Sequence, residues 1–179
     1  MFQGWDGFYL LIGSASAGLI GLLFVVTTLM ADVDRPRAMR AAALYTTPIV
    51  FHFAVVLVVS ALSAVPRLPN WAAGLVIAAG ALAGMAYAAV IAPQMRKGIA
   101  PEAPHWSDFW CYGVAPGGIY LGLGLSAATA WFAPAAAAYG VGLALLALLL
   151  ISIRNAWDMV TWLAPRGGAE PPATTPPAS

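Results

Sequence analysis

The longest run free of charged residues extends from Phe109 to Ile153, and it limits what the chain can become. Three further uncharged runs extend from Gly7 to Met30, Ala41 to Val65 and Trp71 to Gln94. A helix needs roughly 20 largely apolar residues to cross a hydrocarbon core about 30 Å thick, because it rises about 1.5 Å per residue. Each run meets that length, and the last is roughly twice too long for one crossing. It must fold back on itself. The break falls at Phe132-Ala133-Pro134-Ala135, since proline opens a helix readily but disfavours continuing one.

These runs predict an all-α polytopic membrane protein, a bundle of about five transmembrane helices. The expected spans are 7–30, 41–65, 71–94, 108–132 and 135–163, with the end of the last interfacial. Composition agrees, because a water-soluble domain cannot cover its surface when 61% of residues are hydrophobic and only 8% charged. Residues 1–166 read as one transmembrane domain. Residues 167–179, with Pro171-Pro172 and Pro176-Pro177, read as a disordered tail. The first run lacks a basic leader and exceeds a signal-peptide core, so it reads as a span. Cys111 stands alone and permits no intrachain disulfide.

Orientation follows from the basic residues, which in short loops favour the cytoplasmic side. With the N-terminus outside and the C-terminus cytoplasmic, Arg35, Arg37, Arg40, Arg96, Lys97, Arg154 and Arg166 fall inside and only Arg67 outside. Trp5, Trp71 and Trp131 then mark the outer interface, and Trp106, Trp110, Trp157 and Trp162 the inner one. An Ala- and Gly-rich composition suggests a high-GC bacterium, and hence the inner (cytoplasmic) membrane. The near-neutral charge balance gives no footprint for nucleic acid.

Helices in lipid associate through small residues that let backbones approach. Gly13, Ala17 and Gly21 form such a stripe on the first span, and Gly80 with Gly84 on the third. These positions are expected to serve helix packing or an interface in a homo-oligomer or larger membrane complex. Leu143 to Ile153 carries no such stripe, which predicts that the fifth span is the lipid-facing rim.

Ionisable groups inside a span are costly and mark function by default. His52 is the clear case, roughly 16 Å from the inner face by helical rise. Ser16 and Tyr120 fall at similar depth, so the three are expected to form one mid-membrane polar layer or pathway. Two helix breaks flank it. Pro48 cannot donate to the carbonyl of Leu44, and Pro116, followed by Gly117 and Gly118, is expected to leave the carbonyl of Tyr112 free. Such interruptions tend to line cavities.

A second cluster lies at the cytoplasmic face, where His105 and Asp108 open the fourth span and Arg154 and Asp158 stand at i,i+4 on the fifth. It is expected to cap the helix ends or to form an inner mouth.

No catalytic constellation is present. Ser126 is about 10 Å from the depth of His52, too far for a nucleophile and its base. His52 and His105 differ in depth, which rules out a two-histidine haem site, and no metal-ligand spacing or phosphate loop occurs. The expectation is a non-enzymatic protein without cofactor or metal, whose partner is the lipid bilayer. The functional expectation is a small homo-oligomeric channel or transporter for protons, ions or small solutes. An accessory subunit of a larger complex and a pigment- or lipid-binding protein are the alternatives.

Overall fold

The computed structural model describes residues 1–30, 45–97, 107 and 109–163. The described secondary structure is helical throughout, and no strand occurs among the described residues. Helix α1 spans Asp6–Met30, α2 Thr47–Ser63 and α3 Asn70–Lys97. A π-helical segment, Phe109–Val114, leads into α4, Ala115–Ala128, and a 3-10 turn, Thr129–Trp131, follows it. Helix α5 spans Pro134–Leu163.

Three of these helices, over Asp6–Leu29, Asn70–Gln94 and Pro134–Thr161, are long and apolar enough to cross a membrane, and α2 is a shorter apolar helix. The long uncharged run does fold back. The amides of Phe132 and Ala133 both donate to the carbonyl of Thr129, at 3.2 and 2.8 Å, and Pro134 begins α5, where its missing N–H has no partner to lose. Between α2 and α3 the chain turns through Pro66 and Arg67, whose φ of 56° places it in the left-handed region.

Helices α3 and α4 pack most closely, because small residues face small residues. A Cβ added at Gly113 would lie 2.6 Å from Ala92 Cβ, and one at Gly124 would lie 3.5 Å from Ala81 Cβ. At Gly84 the missing side chain makes room for the Tyr120 ring. Helices α1 and α2 form a second close pair, with Gly13 against Ser60. Helix α5 joins the pairs, touching α4, α2 and α1. The result is a ring of α2, α3, α4 and α5 whose interior is filled by side chains such as Ile49, Tyr120, Leu123 and Leu148, with α1 outside it against α2 and α5. The side of the ring between α2 and α3 is its weakest contact.

Two sequence expectations change here. The leucine-rich fifth helix is interior, not a rim: 44% of its apolar window is buried, against 22% for α1. Leu145 and Leu148 are fully buried. Small residues mark places where helices approach closely, whereas α5 bridges two separate pairs and needs large side chains to fill the distance. The small-residue stripes also divide. Gly13 and Gly84 are packed, but an added Cβ at Gly21 or Gly80 would meet nothing, and Ala17 is exposed.

Polar groups follow the rule that backbone and hydroxyl partners must be found within the protein when water is absent. Thr27, Thr28, Ser126 and Ser152 each donate to the carbonyl four residues earlier on their own helix. Ser16 is different.

Candidate functional site

His52 lies in the first half of α2, with a side chain only 1% exposed. Its Nδ1 is 2.8 Å from the hydroxyl of Tyr120, which is itself fully buried on α4. The backbones of α2 and α4 make little direct contact, so these side chains bridge the two helices through the packed interior. The tautomer follows from counting partners. If the Tyr120 hydroxyl donates to Nδ1, only Nε2 is left without a partner. The other tautomer would strand the phenol proton as well. The first is therefore favoured, and Nε2 carries the hydrogen.

Nε2 makes no hydrogen bond, although it is fully buried. A buried donor left unsatisfied costs about 1–3 kcal/mol. The Ser60 hydroxyl is the other such group among the described side chains, two turns further along α2.

Ser16 is also fully buried, and its hydroxyl donates to the carbonyl of Phe53 at 2.6 Å. The structure thus brings Ser16, His52 and Tyr120 to one level, but Ser16 bonds to the backbone beside His52 and not to the imidazole. This bond ties α1 to α2 through a carbonyl that already lies within a helix.

Aromatic rings extend the cluster toward the surface. The Phe51 ring centroid lies 5.9 Å from His52, 6.3 Å from Tyr120 and 4.9 Å from Tyr87 on α3. Phe51 and Tyr87 are half-buried. Tyr87 stands one turn along α3 from Gly84, where the Tyr120 ring is seated. Neither residue was singled out in the sequence. The available signal was spacing, since Tyr87 follows Gly84 at i+3 on a helix rich in alanine.

The break at Pro116 takes a form that the sequence reading missed. An α-helical register would free the carbonyl of Tyr112, but the segment before the proline is π-helical, with i to i+5 pairing. The carbonyl facing the missing N–H is therefore that of Cys111, and Asn155 Nδ2 donates to it at 2.9 Å. The Tyr112 hydroxyl donates in turn to the carbonyl of Asn155 at 2.8 Å. Asn155 is fully buried and clasps α5 to the π-helical segment. Pro116 is buried, Gly117 faces Ala88 and Gly118 is exposed. Pro48 lies in the first turn of α2, and its expected partner Leu44 is outside the described residues.

Of the cluster expected at the cytoplasmic face, His105 and Asp108 lie outside the described residues. Arg154 and Asp158 approach to 4.0 Å, and both are well exposed, a pairing that contributes little to stability. Arg154 also donates to Asn155 Oδ1 at 3.1 Å. Among the described residues no group of three or more potential metal ligands comes together.

The opposite end of the bundle gathers Trp5, which packs edge-on to Tyr139 at 4.7 Å, and Trp131, which lies against Gly74 near the start of α3. The Met1 nitrogen donates to Asn70 Oδ1 at 2.6 Å at the same end. The sequence matches no protein-family model, no curated protein and no solved structure.

Proposed function

We propose that the chain is a five-span integral membrane protein of a bacterial inner membrane, with its N-terminus outside, and that it acts as a channel or transporter for protons, ions or small solutes. The pathway would run through the interior ringed by α2, α3, α4 and α5. The observation that carries this reading is the buried His52–Tyr120 hydrogen bond, a pair able to exchange a proton that bridges two helices whose backbones scarcely meet.

The chemistry suits a gate. A neutral imidazole accepts the Tyr120 proton at Nδ1. When the ring takes up a proton there, Nδ1 becomes a donor and the phenol must turn its own proton elsewhere. That rearrangement reverses the side-chain bridge between α2 and α4, and the buried positive charge and freed phenol proton then call for new partners such as entering water. The Pro116-Gly117-Gly118 break, one turn before Tyr120, gives α4 a place to bend.

Flux into proteoliposomes tests the reading. His52→Ala is expected to change the rate or its pH dependence, and unaltered flux, or none across a broad panel of ions and solutes, overturns it. Reporter fusions at the C-terminal tail and at the Arg67 turn test the orientation, with the tail expected inside and the turn outside.

A second reading, an accessory subunit of a larger membrane complex, is favoured by one observation. Ala17, Gly18 and Gly21 of α1 present small residues outward, with none of the described residues against the glycines. It predicts co-purification with a partner and loss of that association on Gly21→Leu. Recovery of the isolated monomer alone in mild detergent would count against it.

A further inference from the structure

We propose that the π-helical segment ahead of Pro116 is a two-register joint, in which the chain entering α4 turns by one residue while α4 itself stays in place. The inference does not rest on transport.

A π-helical turn is rare and usually holds one residue more than the α-helix around it needs. Here it spans Phe109–Val114 and runs directly into α4. Giving up the extra residue makes the segment α-helical. In most helices such a change breaks any side-chain bond that held the first register. At Pro116 it does not. Pro116 lies in the first turn of α4, a helix anchored in the interior by Tyr120, Leu123 and Ala127. Its missing N–H therefore stays at one place in the fold. The carbonyl left open there is that of Cys111 in the π register and that of Tyr112 in the α register. Asn155 Nδ2, 2.9 Å from the Cys111 oxygen, stands at that place and can serve either one. The clasp from α5 survives the change.

Tyr112 and Gly113 select the π register. Tyr112 is fully buried, its hydroxyl donates to the carbonyl of Asn155 at 2.8 Å, and its ring stands edge-on to Tyr45 at 5.2 Å. Gly113 lies against Ala92 of α3 with no room for a Cβ. These are few contacts to hold a helical segment in the rarer register.

The direction of the turn follows from helix geometry, since one α-helical residue is about 100° of rotation and about 1.5 Å of rise. Loss of the extra residue carries Trp110 to the place of Phe109 and Cys111 to that of Trp110. Trp110 is exposed, whereas Phe109 and Cys111 are half-buried. The α register thus brings Cys111 outward and draws residue 110 inward. Tyr120 lies beyond Pro116 and keeps its bond to His52 in both registers.

The test uses Cys111, the single cysteine of the chain, as its own reporter. The full chain in lipid nanodiscs is treated with N-ethylmaleimide, a small neutral reagent, and the rate of modification is read by intact mass. Tyr112→Phe keeps the ring and removes the hydroxyl, and should speed modification of Cys111 about fivefold, the effect of one hydrogen bond on the balance between registers. Tyr139→Phe, at the far end of the bundle, should leave the rate unchanged. Adding Gly113→Ala to Tyr112→Phe removes a second contact of the π register and should speed it further. A thiol introduced by Trp110→Cys, in a chain that also carries Cys111→Ser, reads the opposite movement, and the same double substitution should slow its modification. An unchanged Cys111 rate in Tyr112→Phe overturns the proposal, because the segment is then fixed in one register. So does a Trp110→Cys thiol that is not slowed, which would identify fraying of the helix end.

Discussion

The α3–α4 interface and the outer face of α1 carry the same kind of sequence and meet opposite fates. Both present glycine and alanine at intervals of about one turn. On α3, α4 and the π-helical segment before α4, Gly84 receives the Tyr120 ring, Gly113 lies against Ala92 and Gly124 against Ala81. On α1, Gly13 is packed, while Gly18 and Gly21 meet nothing among the described residues. A missing side chain permits close approach, but it supplies no attraction of its own. Contact forms where a second surface projects into the gap, as the Tyr120 ring does, or is equally thin, as Ala81 and Ala92 are.

The largest test of this contrast is a pair of substitutions on one helix. Gly84→Leu drives a side chain into the Tyr120 ring and should destabilise the fold by about 3 kcal/mol, whereas Gly80→Leu, four residues away, should change it by less than about 0.5 kcal/mol. Unfolding of each variant in mixed detergent micelles measures both. Equal losses would mean that Gly80 is also covered, and the contrast would fail.

Tyr120→Phe sharpens the same comparison by keeping the ring in the Gly84 gap and removing only the hydroxyl. His52 Nδ1 then loses its partner while still buried, so a loss of about 2 kcal/mol is expected in the same unfolding assay. No loss would mean that ring packing alone holds α2 to α4.

Smallest is the addition of one methyl group in each region, where the sign should reverse. Gly113→Ala pushes against the Ala92 backbone and should cost about 1 kcal/mol, while Gly21→Ala enters open space and should gain up to about 0.5 kcal/mol from reduced backbone freedom in the unfolded chain. Loss at both positions would place a neighbour on α1 that the described residues do not provide.

The polar layer shows how far helical spacing reaches. Counting rise from the ends of the uncharged runs put Ser16, His52 and Tyr120 at similar depth, and the three do lie together. Depth says nothing about rotation around a helix axis, however. That is why the Ser16 bond to Phe53, and the presence of Phe51 and Tyr87 beside the pair, were not readable. The error over α5 has the same origin. Leucine content measures how apolar a helix is, but in lipid an apolar side chain is equally at home facing outward or filling a wide interior gap. Asn155 was passed over in favour of its charged neighbours, yet it holds the carbonyl that the proline break releases.

By itself the sequence determined the all-helical class, the fold-back ahead of Pro134 and the place of the interruption at Pro116. These depend on local length, charge and backbone chemistry, which a linear chain carries in full. Tertiary structure alone decided which glycines are contacts, that α5 lies inside and α1 outside, and that the break before α4 is π-helical with Cys111 as its open acceptor. Those outcomes depend on which helix faces which, and the choice between faces is made by the shape of the partner and not by the residue that meets it.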